Sequence, residues 1–242
     1  MRILITNDDS VSAAQLPALI RWFQKLGEVT TVVPEFEQSG KSHGIQLLHA
    51  FKAEKRMLED MEIWTVDSTP ADCVRFAVMG LKKEFDLVIS GVNRGCNMGL
   101  DVMYSGTVAA IFEAAALGIP AVAFSVPYSN YDTATHHLDQ VWAYFTENRL
   151  LEKHSLYNVN IPADPKGIRI TRQGGPYYTD DFDPRENNMY MPIGRCVHEN
   201  TGDLTLDTDC VVSGYISITP MTLSRTDLAV YHLLSNDNLN KI

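Results

Sequence analysis

Short apolar runs alternate with helical stretches along the first half of the chain. Apolar runs typical of buried parallel strands occupy residues 3–6, 29–33, 62–66, 86–90 and 121–126. Apolar residues at three- and four-residue spacing predict one helix, and capping signals predict two more, at 16–26, 70–79 and 106–117. Because strands and helices alternate, the pattern predicts an α/β fold: a Rossmann-like, mostly parallel sheet with helices on both faces.

The pattern changes after about residue 130 and becomes richer in strands. Further strands are predicted at 156–161, 167–171, 189–197 and 204–215. The polar segment 199–203 predicts a turn between the last two strands, so we expect an extended hairpin arm at about 189–215. Thr226 and Asp227 predict the cap of a short final helix.

The length and composition allow one large core with an appendage. The chain has 242 residues, of which 45% are hydrophobic. We assign residues 1–130 to the Rossmann-like core and residues 131–242 to a C-terminal part that completes the core and carries the hairpin. The formal net charge of -10 and the pI near 5.1 argue against a broad basic surface. We therefore expect no DNA or RNA polymer as a partner.

Cysteine spacing and hydropathy predict a cytoplasmic location. The four cysteines lack C-x-x-C spacing and are expected to be free thiols in a reducing compartment. The N-terminal run does not have the form of a signal peptide. Residues 107–124 form the longest apolar stretch, but Glu113, Gly118 and Pro120 interrupt it, so no membrane association is expected.

Two adjacent acids follow the first predicted strand in the segment Asn-Asp-Asp-Ser at residues 7–10. Ligands of parallel sheets bind at the carboxyl ends of the strands, so this segment lies where chemistry is expected. Neighbouring carboxylates repel each other unless a positive charge lies between them, and a hard divalent cation prefers such oxygen ligands. The same four residues also fit a simple turn with a helix cap.

Three further polar segments follow other elements. Residues 39–44 contain Gly-Lys-Ser, but Glu35 stands where a triphosphate-binding loop requires its first glycine, so that loop is rejected. Residues 91–99 supply glycines and asparagines after a strand, and residues 104–110 supply hydroxyls and amide groups at a helix N-terminus, which favours an anion. Each segment alone also fits an ordinary turn or cap. All candidate ligands in these segments bind a metal through oxygen, which favours Mg²⁺, Mn²⁺ or Ca²⁺ over Zn²⁺.

The order of these segments carries more information than any one of them. The chain has Asn-Asp-Asp at 7–9, Ser-Gly-x-Ser-His at 39–43, Thr-Pro-Ala-Asp-Cys-Val at 69–74, Ser-Gly-Val-Asn-x-Gly-x-Asn-x-Gly at 90–99 and Tyr-Ser-Gly-Thr at 104–107. This series resembles the signature series of the SurE survival-protein nucleotidase family. Segments 158–162 and 214–220 also resemble later family segments, so the resemblance covers most of residues 1–225.

The resemblance implies a site and an activity. It implies a metal site, with one divalent cation per subunit (Mg²⁺ or Mn²⁺, and Ca²⁺ in crystals), formed by Asp8, Asp9, Ser39 and Asn93. It implies phosphate contacts from Asn97, Ser105, Gly106 and Thr107. The implied reaction is hydrolysis of nucleoside 5′- and 3′-monophosphates to nucleoside and inorganic phosphate, sometimes with trimming of polyphosphate. The implied assembly is a homodimer or homotetramer built partly through C-terminal arms.

Asp8 and Asp9 are the predicted catalytic residues. Asp9 is expected to position or deprotonate the attacking water, with Asp8 as the alternative, and His43 is a candidate general acid. Two positions depart from the family pattern, because Ser10 and Ser68 stand where relatives usually carry glycine. These changes affect the expected loop geometry and leave the proposed ligands intact.

Three other functions compete with a nucleotidase. An aspartyl-phosphate phosphatase requires a second acid two residues after the nucleophile, and the adjacent acids of this chain do not fit that spacing. A non-catalytic nucleotide sensor on the same fold is a second alternative, because a fold alone does not determine function. A broader phosphatase or exopolyphosphatase is the third.

Overall fold

Eleven strands form two sheets within residues 1–236, the part of the chain that this computed structural model describes. In chain order the strands are β1 (Arg2–Thr6), β2 (Glu28–Pro34), β3 (Ala53–Leu58), β4 (Met61–Val66), β5 (Leu87–Arg94), β6 (Ala121–Val126), β7 (Leu156–Asn160), β8 (Ile168–Ile170), β9 (Tyr178–Pro184), β10 (Tyr190–Cys196) and β11 (Ile216–Pro220). Nine of them form the main sheet in the order β3-β4-β2-β1-β5-β6-β7-β11-β8. Neighbours in this sheet run parallel, except that β3 is antiparallel to β4 and β11 to β7.

Helices cover both faces of the main sheet. In chain order they are α1 (Leu16–Gln24), α2 (Pro70–Arg75), α3 (Gly106–Ala116), α4 (Leu138–Glu147), α5 (Leu150–Lys153), α6 (Asp207–Val212) and α7 (Leu228–Asn236). Successive side chains of a strand point to opposite faces. Accordingly, Ile3 and Ile5 of β1 pack in one apolar cluster with α1 and α4, whereas Leu4 packs in the other with α2 and α3. The predicted α/β architecture is therefore confirmed.

The centre of the sheet is the place where the strand order changes direction. The chain passes from β1 to β2 on one side of β1, and β5 pairs with β1 on the other side. Ligands of such sheets bind outside the carboxyl ends of the strands at this point. The chain leaves β1 at Asn7 and leaves β5 after Arg94, so both polar segments from these strands meet at one edge.

Most predicted elements are present, with shifted ends. The five strands predicted before residue 130 correspond to β1, β2, β4, β5 and β6. The strands β3, β9 and β11 and the helices α4 and α5 were not predicted. The helix predicted over 70–79 divides, because α2 continues into a π-helical turn, Phe76–Gly80. The final helix is confirmed as α7, where Oδ1 of Asp227 accepts a hydrogen bond from the backbone N–H of Val230 at 3.0 Å. Within residues 1–236, no helix is both long and apolar enough to cross a bilayer.

The predicted hairpin at 189–215 is wrong in its second half. The arm consists of β9 and β10, which pair antiparallel from Tyr178 opposite Cys196 to Pro184 opposite Tyr190. The segment predicted as a strand over 204–215 instead forms α6. Its first residue, Asp207, is buried and accepts hydrogen bonds from the backbone N–H groups of Gly99 and Gly174. These tertiary contacts fix the start of α6 and override the strand-like apolar pattern.

Candidate active site

Asp8 and Asp9 lie at the carboxyl end of β1, beside the N-terminus of α3. Asp8 is buried, and its Oδ1 accepts a short hydrogen bond from the hydroxyl of Thr107. Oδ2 of Asp9 accepts a hydrogen bond from the backbone N–H of Arg94, the last residue of β5, at 2.9 Å. The two acids are therefore anchored to two different elements, one on each side of the site.

The acids carry more negative charge than their surroundings offset, although the positive charge of Arg94 partly opposes the pKa rise of Asp9. Burial raises the pKa of Asp8 even though the hydrogen bond from Thr107 opposes the shift. Burial, and then the negative charge of Asp8, raise the pKa of Asp9 to about 6. Glu37 adds a further negative charge that acts on both acids. Among the ion pairs of the described residues, none involves Asp8 or Asp9. A bound cation would relieve this concentration of negative charge.

Ser39 and Asn93 line the same cavity as Asp8, which has a volume of about 540 Å³. The hydroxyl of Ser39 donates to Oε1 of Glu37 at 2.8 Å, so its oxygen retains lone pairs for a ligand. Nδ2 of Asn93 donates to the carbonyl of Gly95 at 2.7 Å, which leaves Oδ1 as the acceptor of that side chain. Within residues 1–236 no group of three or more His, Cys, Asp or Glu side chains could hold a metal. A cation here would therefore combine two carboxylates with neutral oxygens, a donor set suited to Mg²⁺ or Mn²⁺.

The N-terminus of α3 packs directly against the acids. Ser105 caps the helix, because its Oγ accepts from the backbone N–H of Val108 at 3.1 Å. A Cβ at Gly106 would lie 3.0 Å from Cβ and 3.2 Å from Oδ2 of Asp8, so a side chain here would press directly on this carboxylate. Ser105 lines the cavity, whereas Gly106 and Thr107 are not among its lining residues and instead contact Asp8.

Asn97 lies on the loop after β5 and also lines the cavity. Its Nδ2 donates to Ser125 Oγ at 2.9 Å, and its backbone carbonyl accepts from the side-chain amides of Asn158 and Asn160. Its backbone N–H donates to Oδ1 of Asn160 at 2.8 Å. The loop is thus fixed by β6 and β7, and Asn97 is held beside the cavity in one orientation.

The two serines that replace expected glycines fit their places. Ser10 adopts a positive φ of 73°, the left-handed conformation that favours glycine. Asn7 supports this turn, because its Nδ2 donates to the carbonyl of Ser10 at 2.9 Å. The hydroxyl of Ser68 donates to Oδ2 of Asp72 at 2.6 Å beside the start of α2. Both loops therefore accommodate serine with specific hydrogen bonds.

Several further residues reach the site, and no spacing in the sequence singles them out as ligand contacts. Arg94 lines the cavity, and its guanidinium lies 5.0 Å from the ring centre of Tyr128. Tyr177 and Tyr178 reach the same cavity from the base of the hairpin. Tyr177 and Tyr178 are adjacent in the chain, but no signal in the sequence places them beside Tyr128 and Asp8. The hydrogen bond from Ser39 to Glu37 is likewise known only from the structure.

His43 is not at the cavity that contains the acids. Its Nε2 lies 2.8 Å from Oε2 of Glu113, and it lines a second cavity of about 930 Å³, which shares Ser105 with the first but is not lined by Asp8 or Asp9. Glu113 also accepts from Arg75 Nη1 at 3.2 Å. This network gives His43 a role in joining the loop after β2 to α2 and α3.

Known proteins resemble this chain in sequence and in fold. A profile of the family described as "Survival protein SurE" matches residues 3–180. The protein named 5′-nucleotidase SurE from Natranaerobius thermophilus is 38% identical, and the match covers 98% of this chain and 98% of that protein. The protein of the same name from Thermosipho melanesiensis is also 38% identical, and the match covers 94% of this chain and 93% of that protein. The crystal structure of the Sure protein from Aquifex aeolicus matches with a TM-score of 0.75 at 29% identity, covering 98% of this chain and 100% of that one. The similarity thus extends over nearly the whole chain in both sequence and fold.

Proposed function

This chain belongs to the SurE survival-protein family, and we propose that it is a 5′-nucleotidase that hydrolyses nucleoside monophosphates to nucleoside and inorganic phosphate. The family resemblance of the motifs is confirmed by the match over residues 3–180. The observation that carries the proposal is the adjacent pair Asp8 and Asp9, of which Asp8 is buried against the N-terminus of α3 and Asp9 is partly buried. Relatives of similar length carry the name 5′-nucleotidase SurE. The cavity of about 540 Å³ is in the usual range for a small-molecule ligand. Activity on 3′-monophosphates is part of the same proposal.

We propose that one divalent cation, Mg²⁺ or Mn²⁺, is held by Asp8, Asp9, Ser39 and Asn93. This is supported by the raised pKa values of the two adjacent carboxylates and by the neutral oxygens of Ser39 and Asn93, which line the same cavity as Asp8. When bound, such a cation supplies Lewis acidity, which polarises a phosphate oxygen and lowers the pKa of water.

The chain's own groups then have separate tasks. Because Oδ2 of Asp9 accepts from Arg94, its Oδ1 is the atom that accepts a proton from the attacking water. The hydroxyl of Ser105 uses its oxygen as the helix cap and keeps its proton to donate to a phosphate oxygen. Asn97 provides a fixed amide, and Gly106 and Thr107 add the positive end of the helix dipole.

Phosphate release from nucleoside monophosphates tests this proposal. We expect AMP to release phosphate with Mn²⁺ and not with EDTA, and a comparison of 5′-AMP with 3′-AMP gives the positional preference. Asp8→Asn and Asp9→Asn should each lower turnover by roughly 10²-fold or more, the scale of a lost catalytic group. Asp164→Asn, which removes an exposed carboxylate elsewhere, is the matched control. Nucleotide binding without phosphate release would identify a sensor instead.

We further propose that the chain assembles as a homodimer or homotetramer through the hairpin arm, now placed at β9 and β10. The arm exposes large apolar side chains, including Phe182 (66% exposed) and Tyr190 (64% exposed), which a second copy would cover. Light scattering of Phe182→Asp should show a smaller particle than the parent chain.

The proposal also includes a cytoplasmic location, which rests on the cysteine spacing.

A further inference from the structure

A line of buried side chains connects α6 to the rim of the active-site cavity. Asp209 of α6 is fully buried, and its Oδ2 accepts from the backbone N–H and the hydroxyl of Thr201 at 2.9 and 2.6 Å. Its Oδ1 lies 3.0 Å from Nε2 of His198. The angles of this contact are not those of a hydrogen bond, and neither atom has a hydrogen-bond partner among the described residues. His198 is therefore held in place by close packing against the carboxylate.

The ring of His198 also supports an aromatic side chain of the site. The rings of His198 and Tyr177 are stacked, with centroids 5.2 Å apart and an interplanar angle of 23°. The backbone reinforces this arrangement, because the N–H of Val197 donates to the carbonyl of Tyr177 at 2.9 Å. Only about 10% of the His198 side chain is exposed, so its ring is largely enclosed by the protein and holds the Tyr177 ring in place.

Tyr177 contributes to an apolar and aromatic wall of the cavity. Tyr178, Tyr128 and the α6 residues Val211 and Val212 line the same space. Asp8, Ser39 and Ser105 line the same cavity and supply polar groups to it. A nucleoside monophosphate has the same division, with a charged phosphate at one end and a flat base at the other. Aromatic rings stack on all bases, so such a wall binds the base with little preference for its identity.

We propose that His198 is a positioning residue for the base of the substrate: supported by Asp209, it fixes Tyr177 in the wall against which the base stacks. This inference rests on the proposed nucleotidase function. His198 touches no reacting atom, so its loss should weaken binding of the base and leave phosphate transfer unchanged.

Two substrates, one with a base and one without, separate the binding of the base from the transfer of phosphate. AMP and ribose 5-phosphate share the phosphate and the sugar, and only AMP has a base. His198→Ala should raise the KM for AMP by about 5- to 10-fold, within the range for loss of base stacking, and should leave kcat and the KM for ribose 5-phosphate unchanged. His198→Phe keeps a ring against Tyr177 and should restore the KM for AMP. The exposed His49, replaced by Ala, is the matched control.

Binding of adenosine, measured by calorimetry, gives a readout that is independent of turnover. It should weaken in His198→Ala by the same factor as the KM, and Tyr177→Ala combined with His198→Ala should be no weaker than Tyr177→Ala alone. If His198→Ala does not fold, His198→Gln removes the ring and serves in its place. Equal adenosine affinity in parent and variant, or an equal rise in KM for both substrates, would overturn the inference. A parent protein that binds adenosine and releases no phosphate would refute the nucleotidase function instead.

Discussion

The hydrogen bond from Thr107 to Asp8 offers a sharp test of the site. Thr107→Val keeps the shape of the side chain and removes the hydroxyl that donates to Oδ1 of the buried carboxylate. Burial already raises the pKa of Asp8, and this hydrogen bond opposes that effect by favouring the charged form. Without it the pKa rises further, and a proton competes more strongly with a cation for the same oxygens.

The magnitude follows from the charge on the acceptor. A hydrogen bond to a charged group contributes about 1.5–3 kcal/mol, which corresponds to about 10- to 150-fold in an equilibrium constant. We therefore expect the Mn²⁺ concentration for half-maximal AMP hydrolysis to rise by up to this factor in Thr107→Val. Thr107→Ser keeps a hydroxyl donor and should stay close to the parent protein.

The pH dependence identifies the cause. The pKa of Asp8 is raised, so the protonated form that rejects the cation accumulates as the pH falls. The rise in the Mn²⁺ concentration for half-maximal hydrolysis in Thr107→Val should therefore be larger at about pH 6.5 than at about pH 8.5. A Mn²⁺ requirement within about twofold of the parent at both pH values would refute the reasoning, since about twofold is less than any charged hydrogen bond contributes.

Three further perturbations test the site and the core. Because the pKa of Asp9 is raised to about 6 by burial and by Asp8, the apparent Mn²⁺ affinity from metal titrations should fall by up to about tenfold per pH unit below pH 6. Gly106→Ala places a Cβ 3.0 Å from Cβ of Asp8 and should lower kcat by about 10²-fold, the scale of a small misplacement, in steady-state assays. Phe23→Ala removes a side chain that is 0% exposed and should lower the free energy of unfolding in urea by about 3–5 kcal/mol, whereas Phe36→Ala, at 63% exposed, should change it by less than about 0.5 kcal/mol.

The acids and the helix cap were predictable because their signals are local. Asp8 and Asp9 follow β1 after the single residue Asn7, and the apolar run 3–5 of β1 identifies a buried parallel strand. Ser105 precedes an apolar run and caps α3 as its residue type predicts. Once the strand order is known, the position of these residues at the carboxyl edge follows from the fold.

The role of α6 was not predictable for the opposite reason. Its sequence, Asp-Thr-Asp-Cys-Val-Val, contains β-branched residues that also suit a strand. The decision between helix and strand depends on partners far along the chain, such as the backbone N–H groups of Gly99 and Gly174 that bind Asp207. A pattern read within one segment contains no information on these partners, so the hairpin was placed too far towards the C-terminus.

These partners also show why the C-terminal part is needed for the site as well as for the sheet. Asp207 is buried and accepts hydrogen bonds from Gly99, at the end of the loop that carries Asn97, and from Gly174, close to the hairpin. A Cβ at Gly99 would lie 2.1 Å from the carbonyl oxygen of Gly175, so the two segments touch without space for a side chain. The loop after β5 therefore depends on residues more than a hundred positions later for its shape. A fragment that ends near residue 130 would retain both acids and lose the carboxylate that fixes this loop.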